Sequence, residues 1–173
     1  MIIIITGNGK GKTTSALGTA IRACGWEKRV GIVFFDKGGS HYGEDHILSK
    51  VQGMEIFRFG LKRFDEEAKT FRFENLEEDK TEVIKGIKKV LSLLHSFYDL
   101  IVCDEIINCL NLDLIDKESV QKLLSDCPKE THLIFTGRNA PDWLIEIADL
   151  VSEVKEVKHY FKKGKSAIKG IDY

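Results

Sequence analysis

Four consecutive β-branched residues, Ile2 to Ile5, run into Thr6-Gly7-Asn8-Gly9-Lys10-Gly11-Lys12-Thr13-Thr14 and then into Ser15 to Ala23. The isoleucines read as a short buried strand and Ser15 to Ala23 as a helix, with the glycines forming a turn between them. Such a turn leaves free backbone N–H groups at a helix N-terminus, where the helix dipole favours negative charge. The result is a phosphate cradle. In it Lys12 reaches phosphate oxygens, the Thr13 hydroxyl ligates Mg²⁺, and Lys10 adds a second cation. The common pattern has glycine five residues before the glycine of the Gly-Lys pair, and Thr6 stands there instead. That change points to a loop shaped for an unusual phosphate pose. The competing reading is a tight glycine turn of no chemical meaning.

A chain of 173 residues is expected to form one domain, spanning 1–173, and to bury about 70% of its unfolded surface. The 26 basic and 27 acidic residues nearly cancel, so no global field recruits nucleic acid. No apolar run is long enough to span a membrane, and the four apolar residues after Met1 are too few for a signal peptide. Cys24, Cys103, Cys109 and Cys127 show no Cys-x-x-Cys spacing, which fits free thiols in a reducing cytoplasm. The expected location is cytoplasmic.

Further strands are expected at Arg29 to Phe35, Met54 to Phe59, Tyr98 to Cys103, Thr131 to Thr136 and Leu150 to Val154. Thr81 to Ser96 carries Val83, Ile84, Ile87, Val90, Leu91 and Leu94 on one helical stripe. Glu118 to Ser125 is helical, Gly25 is placed as a C-cap, and Pro141 opens another helix. Leu61 to Asp79 has no clear period and is the candidate lid. Apolar strands alternating with helices predict an α/β, P-loop NTPase-like fold: a mostly parallel central sheet of five to six strands with helices on both faces.

In such sheets ligands sit at the C-terminal strand ends. Asp36-Lys37-Gly38, Asp104-Glu105 and Thr136-Gly137-Arg138 fall there beside the glycine loop. Asp104 and Glu105 can hold a metal ion directly or through water; a solvated acidic turn is the alternative. Arg138 suits bidentate anion binding, against an ordinary ion pair with a surface acid. The lysine-rich run from Lys155 to Lys169 reads equally as a solvated face, and His159 within it as a structural residue.

Four blocks make the sequence resemble the ATP:corrinoid adenosyltransferases. They are the loop Thr6 to Thr14, then Asp104-Glu105-Ile106, then Thr136-Gly137-Arg138 with Ala148 to Glu153. The fourth is Val157-Lys158-His159-Tyr160-Phe161 with Gly164, Ala167 and Gly170-Ile171-Asp172-Tyr173. Lys37-Gly38 and Gly43-Glu44 also resemble the family's second-strand loop. The resemblance implies that a Co(I) corrinoid attacks C5′ of ATP, forms a cobalt–carbon bond and expels triphosphate, with ATP held in reverse of the usual pose. ATP and the corrinoid are then substrates, and Mg²⁺ (or Mn²⁺) is the cofactor. It implies that Gly7, Asn8, Gly9, Lys10, Gly11, Lys12, Thr13, Thr14 and Arg138 bind ATP. Lys12, Thr13 and Glu105 act in catalysis, and Thr13, Glu105 and Asp104 hold the metal. Family aromatics after the third strand help expel the lower axial ligand. Here that region reads Gly60-Leu61-Lys62-Arg63-Phe64 without tryptophan, and Phe64, His159 and Phe161 are the corrinoid candidates. The chain starts at its first strand, so no upstream segment is expected to cover the corrinoid. A flavoprotein reductant and a homodimer are the further implied partners. Read from the residues alone, the same loop also suits a nucleoside or small-molecule kinase, or an ATP-dependent interaction or recombination module.

Overall fold

Alternating apolar runs become a central parallel sheet in the computed structural model, which describes residues 1–39, 42–65, 70–72 and 74–172, without the side chains of Phe64, Asp65, Thr70 and Phe71. Strands β1 (Ile2–Thr6), β2 (Val30–Phe34), β3 (Met54–Arg58), β6 (Leu100–Asp104), β7 (His132–Thr136) and β8 (Leu150–Glu153) pair in the order β3-β2-β6-β7-β1-β8. Every pairing in that sheet is parallel. A separate antiparallel hairpin joins β4 (Phe64–Asp65) to β5 (Thr70–Phe71).

Side-chain alternation divides the core between the two sheet faces. Ile4, Val33, Ile101 and Cys103 pack against α3 (Glu77–Leu94), α4 (Ile106–Asn111) and α5 (Lys117–Ser125). Ile5, Ile32 and Val102 pack against Ala16 and Ala20 of α1 (Lys12–Cys24) and Leu48 of α2 (Asp45–Leu48). Every residue of β2 and β6 is buried, as expected for central strands covered on both sides, whereas edge strand β8 is exposed throughout. Two of the thiols, Cys103 and Cys109, are buried, and burial pushes both well above the usual thiol range. Among the described residues no helix is long and apolar enough to cross a membrane.

The expected strands and helices all form, with shifted ends. Helix α1 starts at Lys12, because the Gly-Lys-Thr turn is already its first turn. Gly25 does cap it, but at φ −62°, so it uses none of glycine's left-handed freedom. Helix α3 starts at Glu77 rather than Thr81: Glu77, Glu78 and Asp79 complement the helix dipole, and Asp79 accepts the Leu76 N–H at 2.8 Å. Pro141 precedes α6 (Asp142–Glu146) as its N-cap, in extended conformation. Among the described residues four elements had no reading in the sequence: α2, the β4–β5 hairpin, α4 and a 3-10 turn at Tyr160–Lys163. Helix α4 continues the apolar run of β6, and the break is made by Glu105, which turns the chain at φ 65°.

Parallel pairing brings the strand ends to one rim. In register, Ile5 lies beside Thr136, Cys103 beside Phe135, and Phe34 beside Asp104. The four sequence features assigned to strand ends therefore converge.

Candidate active site

The glycine loop is shaped from behind. The segment after β8 lies against it, and the Gly9 N–H donates to the Val154 carbonyl at 2.7 Å. A Cβ on Gly7 would stand 2.5 Å from the Val154 oxygen, and one on Gly9 2.8 Å from the Lys155 oxygen. Gly7 and Gly11 also adopt φ +106° and +122°, conformations that side chains disfavour. Thr6 ends β1 and turns its hydroxyl away from the loop, accepting the Ala140 N–H at 3.1 Å. At this position the chain uses a side chain to tie the loop's base to the turn that precedes α6.

Lys12 is buried, and its Nζ donates to the Gly9 carbonyl at 2.9 Å. Burial lowers it below the usual lysine range, opposed by the charge of Glu105 and assisted by that of Arg138. The next residue, Thr13, faces the end of β6. Its hydroxyl donates to Asp104 Oδ2 at 3.2 Å. Asp104 is fully buried and accepts two more bonds: from Lys37 Nζ on Oδ2 at 2.6 Å, and from the Thr136 hydroxyl on Oδ1 at 2.7 Å. Lys37 Nζ also lies 3.2 Å from Thr13 Oγ1. Burial works against the Lys37 charge, but Asp104 and Glu105 outweigh it and raise Lys37 above its ordinary value.

Glu105 stands in the left-handed turn between β6 and α4. Its N–H donates to Thr136 Oγ1 at 2.9 Å, and Asn108, one turn along α4, donates to its carboxylate. Burial, then the neighbouring Asp104, raises Glu105 above the usual carboxylate range, with Lys37 and Lys12 pulling the other way. Asn108 accepts the Arg138 N–H at 2.7 Å, which fixes the strand-end turn carrying that arginine. Gly137 permits the close pass, since a Cβ there would stand 2.6 Å from the Ile107 Cβ.

Lys12, Thr13, Lys37, Glu105 and Arg138 line one cavity of about 1040 Å³, whose far side is the C-terminal tail. The volume lies at the upper end of the usual range for ligand sites. His159, Phe161, Lys162 and Gly170 to Asp172 contribute to its lining. A 3-10 turn, Tyr160–Lys163, is capped by His159, whose Nδ1 accepts the Phe161 N–H at 3.2 Å. Asp172 gathers the tail: it accepts from the Tyr160 hydroxyl, from the Ile168 N–H at 2.7 Å, and from Lys10 at 2.9 Å. Those three donors, Tyr160 first, hold Asp172 well below the usual carboxylate range. Lys10 of the glycine loop is thus joined to the tail.

The structure brings Asn8 to Thr14, Glu105, Arg138, His159 and Phe161 to this cavity, with Asp104 buried behind Thr13. The Phe64 side chain, Tyr173 and part of the Leu61 to Asp79 segment lie outside the described residues. The base of that segment is described: Arg63 pairs with Asp36 at 2.7 Å, and Arg72 with Asp79 at 2.6 Å. Lys37, Asn108 and Asp172 had no assigned role in the sequence. The position of Lys37 at a strand end was legible, but its partner was not. Among the described residues no cluster of three or more His, Cys, Asp or Glu side chains is suited to a metal.

Comparison with known proteins gives a consistent result. The family model described as ATP:corrinoid adenosyltransferase BtuR/CobO/CobP matches residues 1–173. The corrinoid adenosyltransferase of Escherichia coli K12 is 39% identical over 176 aligned positions, covering 100% of this chain and 85% of that protein. Corrinoid adenosyltransferase CobA of Salmonella typhimurium is 38% identical with the same coverage. The corrinoid adenosyltransferase of Pseudomonas aeruginosa is 31% identical, covering 100% of this chain and 83% of that protein.

Proposed function

The chain belongs to the ATP:corrinoid adenosyltransferase family, and from that premise we propose how its residues transfer the 5′-deoxyadenosyl group of ATP to a corrinoid. The observation that carries the reading is the whole-length family match, joined to a single cavity that the glycine loop, Glu105 and Arg138 line together.

The Co(I) centre of the substrate supplies an electron pair to C5′, the C5′–O bond breaks, and triphosphate leaves with that bonding pair. No general base is needed. The protein's task is to stabilise negative charge that grows on the leaving oxygen. The loop N–H groups from Gly7 to Thr13 surround the triphosphate, while Lys12, Lys10 and Arg138 neutralise it. Lys10 does so by leaving Asp172. The left-handed turn at Glu105 aims its carboxylate into the same space.

The donor set suits Mg²⁺ or Mn²⁺. Thr13 Oγ1 and Asp104 Oδ2 are hard oxygens 3.2 Å apart, the donor chemistry that such an ion prefers. The Lys37 ammonium already rests against both, so the position attracts cations. Thr13, Asp104 and Glu105 would hold the ion, which when bound supplies further charge neutralisation of triphosphate.

The corrinoid caps the same strand ends, because cobalt must come within roughly 3–3.5 Å of C5′. Phe161, 71% exposed on the cavity rim, offers an apolar face to the macrocycle; His159 positions that turn, and Phe64 is the candidate aromatic on the hairpin. Reaching Co(I) requires an electron donor, which we assign to a flavoprotein acting on a cytoplasmic homodimer.

The test uses the full chain with ATP, Mg²⁺ and chemically reduced cob(I)alamin under anaerobic conditions. Adenosylcobalamin and inorganic triphosphate should form in equal amounts. ADP with a phosphorylated acceptor, or ADP with free phosphate, would overturn the reading.

A further inference from the structure

Asp104 is the most deeply buried carboxylate of the site, and a charge there needs a cationic partner at all times. Leaving a buried charge unpaired is strongly unfavourable. Lys37 provides that partner, with Nζ 2.6 Å from Asp104 Oδ2 and 3.2 Å from Thr13 Oγ1. These are the two oxygens assigned above to the divalent ion. Ammonium and metal cannot share them, because ligands sit only ~2.1 Å from Mg²⁺ and the two cations repel at such distances. We propose that Lys37 is a resident cation that holds the Thr13–Asp104 position until a divalent ion displaces it, an inference that rests on the metal reading of that pair.

The backbone suits this role. Lys37 follows Asp36, a non-glycine residue held at φ 50°, and its own N–H donates to the Phe59 carbonyl at 3.3 Å. Gly38 lies so close to Gly60 and Leu61 that a Cβ would strike their backbone. Arg63 then clamps Asp36. The lysine therefore hangs from a braced turn, with its main chain fixed. Its side chain is the part that moves: it is 16% exposed and lines the open cavity beside the loop. Displaced from Asp104, the ammonium enters the space where polyphosphate lies and adds a cation to it. One lysine thus serves two anions in turn. It neutralises Asp104 before metal binds and the phosphates afterwards, so the buried carboxylate is never left alone.

The test is Mn²⁺ binding to the nucleotide-free full chain, followed by the loss of the free Mn²⁺ electron paramagnetic resonance signal. Lys37→Met removes the competing charge and should tighten Mn²⁺ binding at least about tenfold, given the size of a unit-charge interaction at this range. Lys37→Arg keeps the charge and should stay within about threefold of wild type. Adding Asp104→Asn to Lys37→Met should erase the gain. A folded Lys37→Met protein with wild-type Mn²⁺ affinity overturns the role of Lys37 alone. A gain that survives Asp104→Asn places the ion elsewhere and overturns the metal reading itself. Should Lys37→Met fail to fold, wild-type protein carrying ¹³C-labelled lysine answers the question. The Lys37 resonance, identified by its loss in Lys37→Arg, should shift on saturation with Mg²⁺ and ATP, and an unmoved resonance overturns the proposal.

Discussion

On the strand-end wall of the cavity, Asp104 is wholly buried and accepts from Lys37, Thr13 and Thr136. On the tail wall, Asp172 also accepts from three donors, Tyr160, Ile168 and Lys10, but its side chain is 16% exposed and its lysine partner 38%. The two carboxylates have the same number of partners and different surroundings. Water cannot replace a lost partner of Asp104, whereas it can replace one of Asp172. Apart from the Lys37 side chain, the first wall is therefore held rigid and preorganised for a polyphosphate, which suits groups that must stabilise charge with little rearrangement. The second is held by few contacts around one carboxylate, the signature of a segment that opens locally. Under the function proposed above, the reactant that arrives as a large flat macrocycle would meet the adjustable wall.

The largest expected effect follows from breaking the rigid wall. Asp104→Ala strands the Lys37 ammonium and two hydroxyls, and should cost about 3 kcal/mol of folding stability, as for other broken buried pairs. Urea denaturation measures it. A loss below about 1 kcal/mol would mean that Asp104 is no more than a surface-type pair, and the contrast between the walls would fail. Asp172→Ala should leave the midpoint unchanged.

Next comes charge stabilisation at the same wall. Lys12→Ala removes a cation that the proposed function places on the leaving triphosphate, and turnover should fall about a hundredfold, the scale of a lost oxyanion donor. The KM for the corrinoid should hardly move. Steady-state kinetics with preformed Co(I) corrinoid separates the two, and near-normal kcat would remove Lys12 from the chemistry.

The rigid wall was also the more legible one in the sequence. Ile2 to Ile5, Val30 to Phe34 and Leu100 to Cys103 are near-continuous apolar runs, as strands of a doubly covered parallel sheet require, and the glycine loop is local in sequence. What escaped was set by distant contacts or by blurred periods. Helix α4 is hidden because Ile106 and Ile107 prolong the apolar run of β6, and a single left-handed residue makes the turn. The hairpin escaped because two-residue strands carry no alternation to read. The Lys10–Asp172 and Lys37–Asp104 pairs join residues far apart in the chain, and neither member has a spacing that announces the other. Thr6 departs from the common loop pattern visibly, but its partner, the Ala140 N–H, emerges only in three dimensions.

The smallest effect concerns the adjustable wall. Asp172→Asn keeps an acceptor for Tyr160 and Ile168 but removes the charge that attracts Lys10. A partly solvated pair of this kind controls only a small free energy, so the open population of the tail should rise by no more than about fivefold. Limited trypsin cleavage after Lys162, Lys163 or Lys165 reads that population directly. The variant's KM for the corrinoid should rise more than its KM for ATP, because Lys10, freed from Asp172, still meets the phosphates. The pH dependence supplies an independent check. Tyr160, Ile168 and Lys10 hold Asp172 below its ordinary value in the folded chain. The latch's contribution is therefore complete above the unfolded carboxylate pKa of about 3.9, and it is lost only as pH falls through the lower folded value. Tail resonances in wild-type protein should stay fixed between pH 7 and about pH 4, while those of Asp172→Asn should already be displaced toward the open position at pH 7, by no more than that rise in population allows. Equal changes in both KM values would make the tail a structural strap. A tail that opens near pH 6 in the wild type would show that Asp172 is not what closes it.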